Sequence, residues 1–167
     1  MRKGARQMRQ QKIVKLIKDY NKLNEDTHSS PIIGVVSGYF NPLHKGHIEY
    51  INKARILCDK LIVIVNNDKQ VKIKGSTPFM NEKERMLIIK NLKSVDKVFL
   101  SIDKDGSVSK SLAKIKPNLF LKGGDKTQSN IPEKKICEKL NIKIIDGLGE
   151  KIQNSSSLIK KFRGKRK

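Results

Sequence analysis

Two imidazoles open the chemical reading of this chain. They lie in Gly38-Tyr39-Phe40-Asn41-Pro42-Leu43-His44-Lys45-Gly46-His47, directly after a short β-branched run. Each part of that segment has a physical use. Gly38 lets the backbone turn sharply and approach a ligand. Pro42 fixes the backbone and keeps Asn41 extended. Gly46 leaves the space between His44 and His47 free of a side chain. Residues three apart face the same way on a helical turn. The free N–H groups of a first turn, with the helix dipole, favour phosphate. A metal reading needs a further ligand close by, and neither Cys58 nor Cys137 is near in sequence. The chemistry this turn favours is phosphate binding at a helix start.

Later segments carry groups suited to the same anion. Residues 66–75 read as a polar loop with Lys69, Lys72 and Lys74, long side chains that reach phosphates as point charges. Asn81 reads as a helix N-cap with Glu84 three residues on as its capping partner. Arg85 follows, placed either near a substrate phosphate or as a brace for the loop. Lys122-Gly123-Gly124-Asp125 combines two glycines, which admit close backbone approach, with a candidate ligand-contacting carboxylate. Ser155-Ser156-Ser157 would cap a helix, and the same hydroxyl and N–H groups would suit a phosphate.

The elements that must position these residues alternate. Short apolar runs at 32–37, 61–65, 95–100, 119–121 and 142–145 read as buried strands. Helical spacing recurs at 46–58, 82–92, 108–115, 132–140 and 155–162, with Pro117 stopping one helix and Pro132 opening another. Alternation of this kind predicts an α/β fold, a Rossmann-like parallel five-stranded sheet with helices on both faces. In such sheets ligands bind at the carboxyl ends of strands, near the point where strand order reverses. The chemistry-bearing segments all follow strands or open helices. Residues 1–30 stand apart as a basic helical extension with a stripe of Ile13, Leu16, Ile17, Tyr20 and Leu23. Residues 31–163 form the expected domain, and 164–167 a basic tail.

Bulk composition narrows the class. The chain has 167 residues, 37% hydrophobic, enough for one domain of ordinary size beside the extension. No stretch approaches the run of about 18 apolar residues that crosses a bilayer. The basic, polar N-terminus lacks the apolar core of a secretory signal. Two distant cysteines fit reduced, buried thiols in a cytoplasmic protein. The formal charge is +21, concentrated partly in residues 1–30 and in the last eight residues, which hold six Lys/Arg and no acid. Such a field suits anionic ligands and also nucleic acid. A non-catalytic nucleotide- or RNA-binding protein using these termini is thus the alternative reading. No aromatic-rich RNA motif accompanies the charge, so nucleic acid is not the expected partner.

Taken in chain order, the strand, the His-x-Gly-His turn, the Lys-Gly-Gly-Asp segment and the serine run resemble the cytidylyltransferase-like nucleotidyltransferase superfamily. The similarity spans about residues 32–162 and looks nearest to heptose-1-phosphate adenylyltransferases and glycerol-3-phosphate cytidylyltransferases. The resemblance implies transfer of AMP or CMP from ATP or CTP to a small phosphorylated acceptor, a sugar- or polyol-phosphate, with release of pyrophosphate. It implies catalytic roles for His44, His47, Lys72 and Lys74. It places nucleotide contacts at Gly38, Tyr39, Phe40, Gly46, Gly123, Gly124, Asp125, Ser155, Ser156 and Ser157, and a substrate-phosphate contact at Arg85. Mg²⁺ is expected to arrive on the nucleotide rather than on protein ligands, and a homodimer is expected. Two departures stand out. Asn41 occupies a position where many of these enzymes have aspartate. Lys151 stands near where the cytidylyltransferase form often carries an arginine.

Overall fold

The computed structural model describes residues 8, 11, 14, 15, 30–123 and 131–148. The chain divides into two units, Met1–Pro31 and Ile32–Lys167. In the first, Met8, Gln11, Val14 and Lys15 are helical. The segment 124–130, with Gly124 and Asp125, lies outside the described residues. So does the helix expected at 155–162, with Ser155, Ser156 and Ser157.

In the second unit the described elements alternate strand and helix. They are β1 (Ile33–Gly38), α1 (Lys45–Arg55), β2 (Lys60–Val65), α2 (Asp68–Ile73), α3 (Glu82–Lys90), β3 (Lys97–Leu100), α4 (Ser109–Ile115), β4 (Leu119–Leu121), α5 (Lys134–Lys139) and β5 (Lys143–Ile145). The five strands form one parallel sheet in the order β3-β2-β1-β4-β5. This is the expected α/β, Rossmann-like architecture. The chain winds outward from β1 through β2 to β3, then returns to lay β4 on the other side of β1. The order reverses between β1 and β4, where a parallel sheet opens a crevice at its carboxyl edge.

Alternation along each strand splits the aliphatic residues between two faces. Val35, Ile64 and Phe120 point to one face and are buried with Val108 and Leu112 of the α4 region and Cys137 of α5. On the other face Gly34 leaves room for the end of α1. A Cβ on Gly34 would sit 2.7 Å from Cys58 Sγ and 3.0 Å from Leu121 Cδ1. Both cysteines are buried and unpaired with each other, as expected.

One expectation is overturned. The polar stretch 66–75 is not a loop but contains a helix, α2. Asn67 caps it, its side chain accepting from the Gln70 N–H at 2.9 Å, while the Gln70 side chain returns to the Asn67 N–H at 3.2 Å. That reciprocal box satisfies first-turn donors, which lets a short, lysine-rich segment hold a helical turn. Pro132 also precedes its helix in a turn rather than opening it, because α5 starts at Lys134.

Candidate active site

The exit of β1 builds the imidazole pair. His44 is the N-cap of α1, in extended backbone, and its carbonyl accepts from His47 N at 3.0 Å and Ile48 N at 3.3 Å. His47 sits one turn in, so the two rings stack, centroids 3.7 Å apart and 22° between planes. The His44 N–H donates to His47 Nδ1 at 3.3 Å. A nitrogen that accepts carries no proton, so neutral His47 holds its proton on Nε2. Burial, then His44, then Lys74 push the His47 pKa down to about 3. Burial also lowers that of His44. Both rings are therefore neutral N–H donors at neutral pH. His44 Nδ1 is buried and has no hydrogen-bond partner among the described residues. No acidic residue lies in the first turn of α1, so nothing there competes with an incoming anion.

The residues around the pair act mostly from below. Phe40 is 1% exposed and takes a left-handed backbone (φ 48). Its ring meets the edge of His47, centroids 5.0 Å apart. It also fills the space where Gly38 lacks a side chain, since a Cβ there would lie 2.7 Å from Phe40 Cζ. Gly38 thus makes room for the Phe40 ring, which packs against His47. Gly46 lies in the first turn of α1. Asn41, 4% exposed, precedes a cis peptide bond to Pro42. Its amide donates to Thr77 O at 2.9 Å and its carbonyl accepts from the Phe79 N–H. This two-sided bond needs an amide, which gives a structural reason for asparagine here.

Of the two expectations for Arg85, the geometry favours the brace. Its side chain is fully buried, with Nη1 donating to Tyr39 O at 2.6 Å and Asn66 O at 2.7 Å. Its Nε donates to Met80 O at 3.2 Å, and Nη2 pairs with Asp68 Oδ1 at 2.6 Å. A guanidinium so engaged braces the segments after β1 and β2. Asp68 and Glu82 reinforce the brace, each accepting from the other's backbone N–H, at 3.2 Å and 2.9 Å. Asn81 and Glu84 form the expected capping box on α3.

Lys72 and Lys74 lie at the end of α2, both exposed. Lys74 Nζ stands 4.4 Å from the centroid of the Tyr39 ring. The structure thus brings Tyr39, Lys74, His44 and His47 together at the exits of β1 and β2. Across the crevice, at the exit of β4, Gly123 lies against Tyr50, whose ring would meet a Cβ at 2.9 Å. That glycine is required by packing. Tyr50, missed in sequence, donates its hydroxyl to Leu121 O and so ties α1 to the end of β4. Lys122 faces the buried Glu133 at 4.0 Å.

These donors test the site against Mg²⁺. The described groups are imidazoles and ammonium groups, whereas Mg²⁺ takes oxygen ligands. No group of three His, Cys, Asp or Glu suited to a metal occurs among the described residues. Those donors do not suit a protein-held Mg²⁺. Among the described residues no helix is long and apolar enough to cross a membrane.

Comparison with known proteins places this geometry. The profile of the family described as cytidylyltransferase-like matches residues 35–162. An FAD synthase of Methanothermus fervidus is 35% identical over 115 residues, 67% of this chain and 76% of that protein. An FAD synthase of Thermoplasma volcanium is 30% identical, over 77% of this chain and 92% of that protein. The bifunctional protein HldE of Rhodopseudomonas palustris is 33% identical over 78% of this chain, which spans only 27% of its length. A crystal structure of a lipopolysaccharide core biosynthesis protein from Thermoplasma volcanium superposes with a TM-score of 0.60 at 29% identity, over 70% of this chain and 96% of that one.

Proposed function

The chain belongs to the cytidylyltransferase-like family and is a nucleotidyltransferase, and from that premise we propose that it transfers AMP or CMP from ATP or CTP to a small phosphorylated acceptor. The acceptor we assign first is a sugar- or polyol-phosphate. A second acceptor, a flavin phosphate, is favoured by the two FAD synthases, of which this chain spans 76% and 92%. The observation that carries the proposal is the stacked, neutral histidine pair at the start of α1, beside the reversal of strand order.

The reaction is an in-line displacement. An acceptor phosphate oxygen attacks the α-phosphorus, the bond from that phosphorus to the bridging oxygen breaks, and pyrophosphate leaves with the electron pair. No protein nucleophile takes part, so positioning and charge stabilisation carry the catalysis. Neutral His47 would donate Nε2–H to a phosphate oxygen and His44 a ring N–H beside it. Because neither ring is charged beforehand, the pair stacks without repulsion in the free protein. Lys72 and Lys74 would supply the positive charge, and the first-turn N–H groups of α1 the dipole. Mg²⁺ would arrive with the nucleotide and supply further positive charge. A pyrophosphate-release screen tests the reading, pairing four nucleoside triphosphates with phosphorylated sugars, polyols and flavin mononucleotide. Release with one pair is the expected result. No release from any pair, by a folded protein, overturns it.

A further inference from the structure

The ring of Tyr39 lies against a lysine assigned to the nucleotide phosphates. We propose that Tyr39 is a positioning residue whose ring face holds the Lys74 ammonium at the mouth of the site, so that the lysine meets an incoming phosphate already ordered. The inference rests on the reading that Lys74 serves nucleotide phosphates.

A lysine at an exposed helix end has four rotatable bonds and every reason to point into water. Lys74 does not. Its Nζ lies 4.4 Å from the Tyr39 ring centroid, well inside cation–π range. Both ends of this contact are fixed. The Tyr39 carbonyl accepts from Arg85 at 2.6 Å, and the next residue, Phe40, is locked beneath Gly38 and His47. On the other side the Lys74 N–H donates to Gln70 O at 3.1 Å. Gln70 is fully buried, and its side-chain amide donates to Asp105 O and Ser107 O, each at 2.7 Å. The contact therefore spans two braced loops, the exits of β1 and β2. It also lies close enough to the histidines for Lys74 to disfavour a proton on His47. A ring face suits this task better than a carboxylate. It holds the ammonium weakly enough to yield it to a phosphate.

The test uses the full chain with Tyr39→Leu, Tyr39→Phe, Lys74→Ala and the Tyr39→Leu/Lys74→Ala double variant. In the free protein, proton NMR reads the ε-methylene of Lys74, which a ring face shifts upfield. The shift should be present in the wild type and in Tyr39→Phe, and lost in Tyr39→Leu. With MgATP or MgCTP and the acceptor found in the screen, Tyr39→Leu should lower kcat/KM roughly tenfold, and Tyr39→Phe should recover it to within about threefold. In the Lys74→Ala background Tyr39→Leu should add less than about twofold, since coupled residues are not additive. An unshifted Lys74 in the wild type overturns the proposal. So does an equal cost of Tyr39→Leu with and without Lys74, or failure of the phenylalanine to rescue. A wild type that shows the shift but releases no pyrophosphate with any pair sinks the nucleotidyl-transfer reading and leaves the contact standing. Should Tyr39→Leu fail to fold, the wild-type shift and the Tyr39→Phe kinetics decide alone.

Discussion

Arg85→Met separates the brace from a substrate contact. The substitution keeps most of the aliphatic stem and removes a guanidinium that is fully buried. Three backbone carbonyls, of Tyr39, Asn66 and Met80, lose their charged donor, and Asp68 loses its partner. Breaking one side of a buried pair costs about 3–5 kcal/mol. The Asp68 side chain is 30% exposed and can rehydrate, which favours the lower half of that range. Against a whole-domain stability of roughly 5–15 kcal/mol, this is a severe loss. With a urea slope of about 2 kcal/mol per M, the midpoint should fall by about 1.5–2 M. The measurement is urea unfolding followed by far-UV circular dichroism on wild type, Arg85→Met, Asp68→Ala and the double variant. Arg85→Met should cost much less once Asp68 is gone. A folded Arg85→Met protein with a midpoint within about 0.3 M of wild type, but with turnover abolished, would return Arg85 to the substrate and refute the brace.

Three further outcomes follow from the same geometry. His44→Ala and His47→Ala should each keep the fold and lower pyrophosphate release at least about a hundredfold, the loss of a donor worth ~2.7–4 kcal/mol in the barrier; near-normal release by both excludes their assigned roles. Gly123→Ala should destabilise by about 1–3 kcal/mol, because its Cβ would press on the Tyr50 ring at 2.9 Å, and a thermal melt at the wild-type temperature would contradict that packing. His47 makes stability depend on acid. Unfolded, it takes a proton near its ordinary 6.5, but folded only near 3, so stability is full above 6.5 and is lost as pH falls through that window. The contribution is at most about 1.4 kcal/mol per pH unit, and His47→Asn should flatten the slope of urea midpoints between pH 6.5 and 4.5. Parallel slopes for the two proteins would show that His47 protonates freely in the fold.

The inner strands were legible because they are largely buried on both faces and read as unbroken aliphatic runs, Val35-Val36 and Leu61–Val65 among them. The histidine turn was legible because it couples a strand exit to a helix start. What escaped was polar and buried. Arg85 looks like a surface cation in a Glu-Lys-Glu-Arg run, and only three-dimensional closure of the β1 and β2 exits around it shows otherwise. Helix α2 escaped because its charged residues hide any apolar period and Val71 is its one fully buried aliphatic side chain. The signal that could have found it was Asn67 with Gln70 three positions on, the same pairing that was recognised at Asn81 and Glu84. The packing of Phe40 on Gly38 and of Tyr50 on Gly123 also had no signal in the sequence, because each pair meets only in the folded chain.

The amides of Asn67 and Gln70 link the segment after β3 to the start of α2. Asn67 donates to the carbonyls of Ser101 and Asp103, and Gln70 to those of Asp105 and Ser107. None of these donors or acceptors titrates, so the linkage transmits shape without transmitting charge. Lys104 and Gly106, between the anchored carbonyls, are exposed and leave sequence free to drift there. Changes at those two places could retune where the lysines stand, in a manner indifferent to salt and acidity, without altering any residue that a substrate would touch.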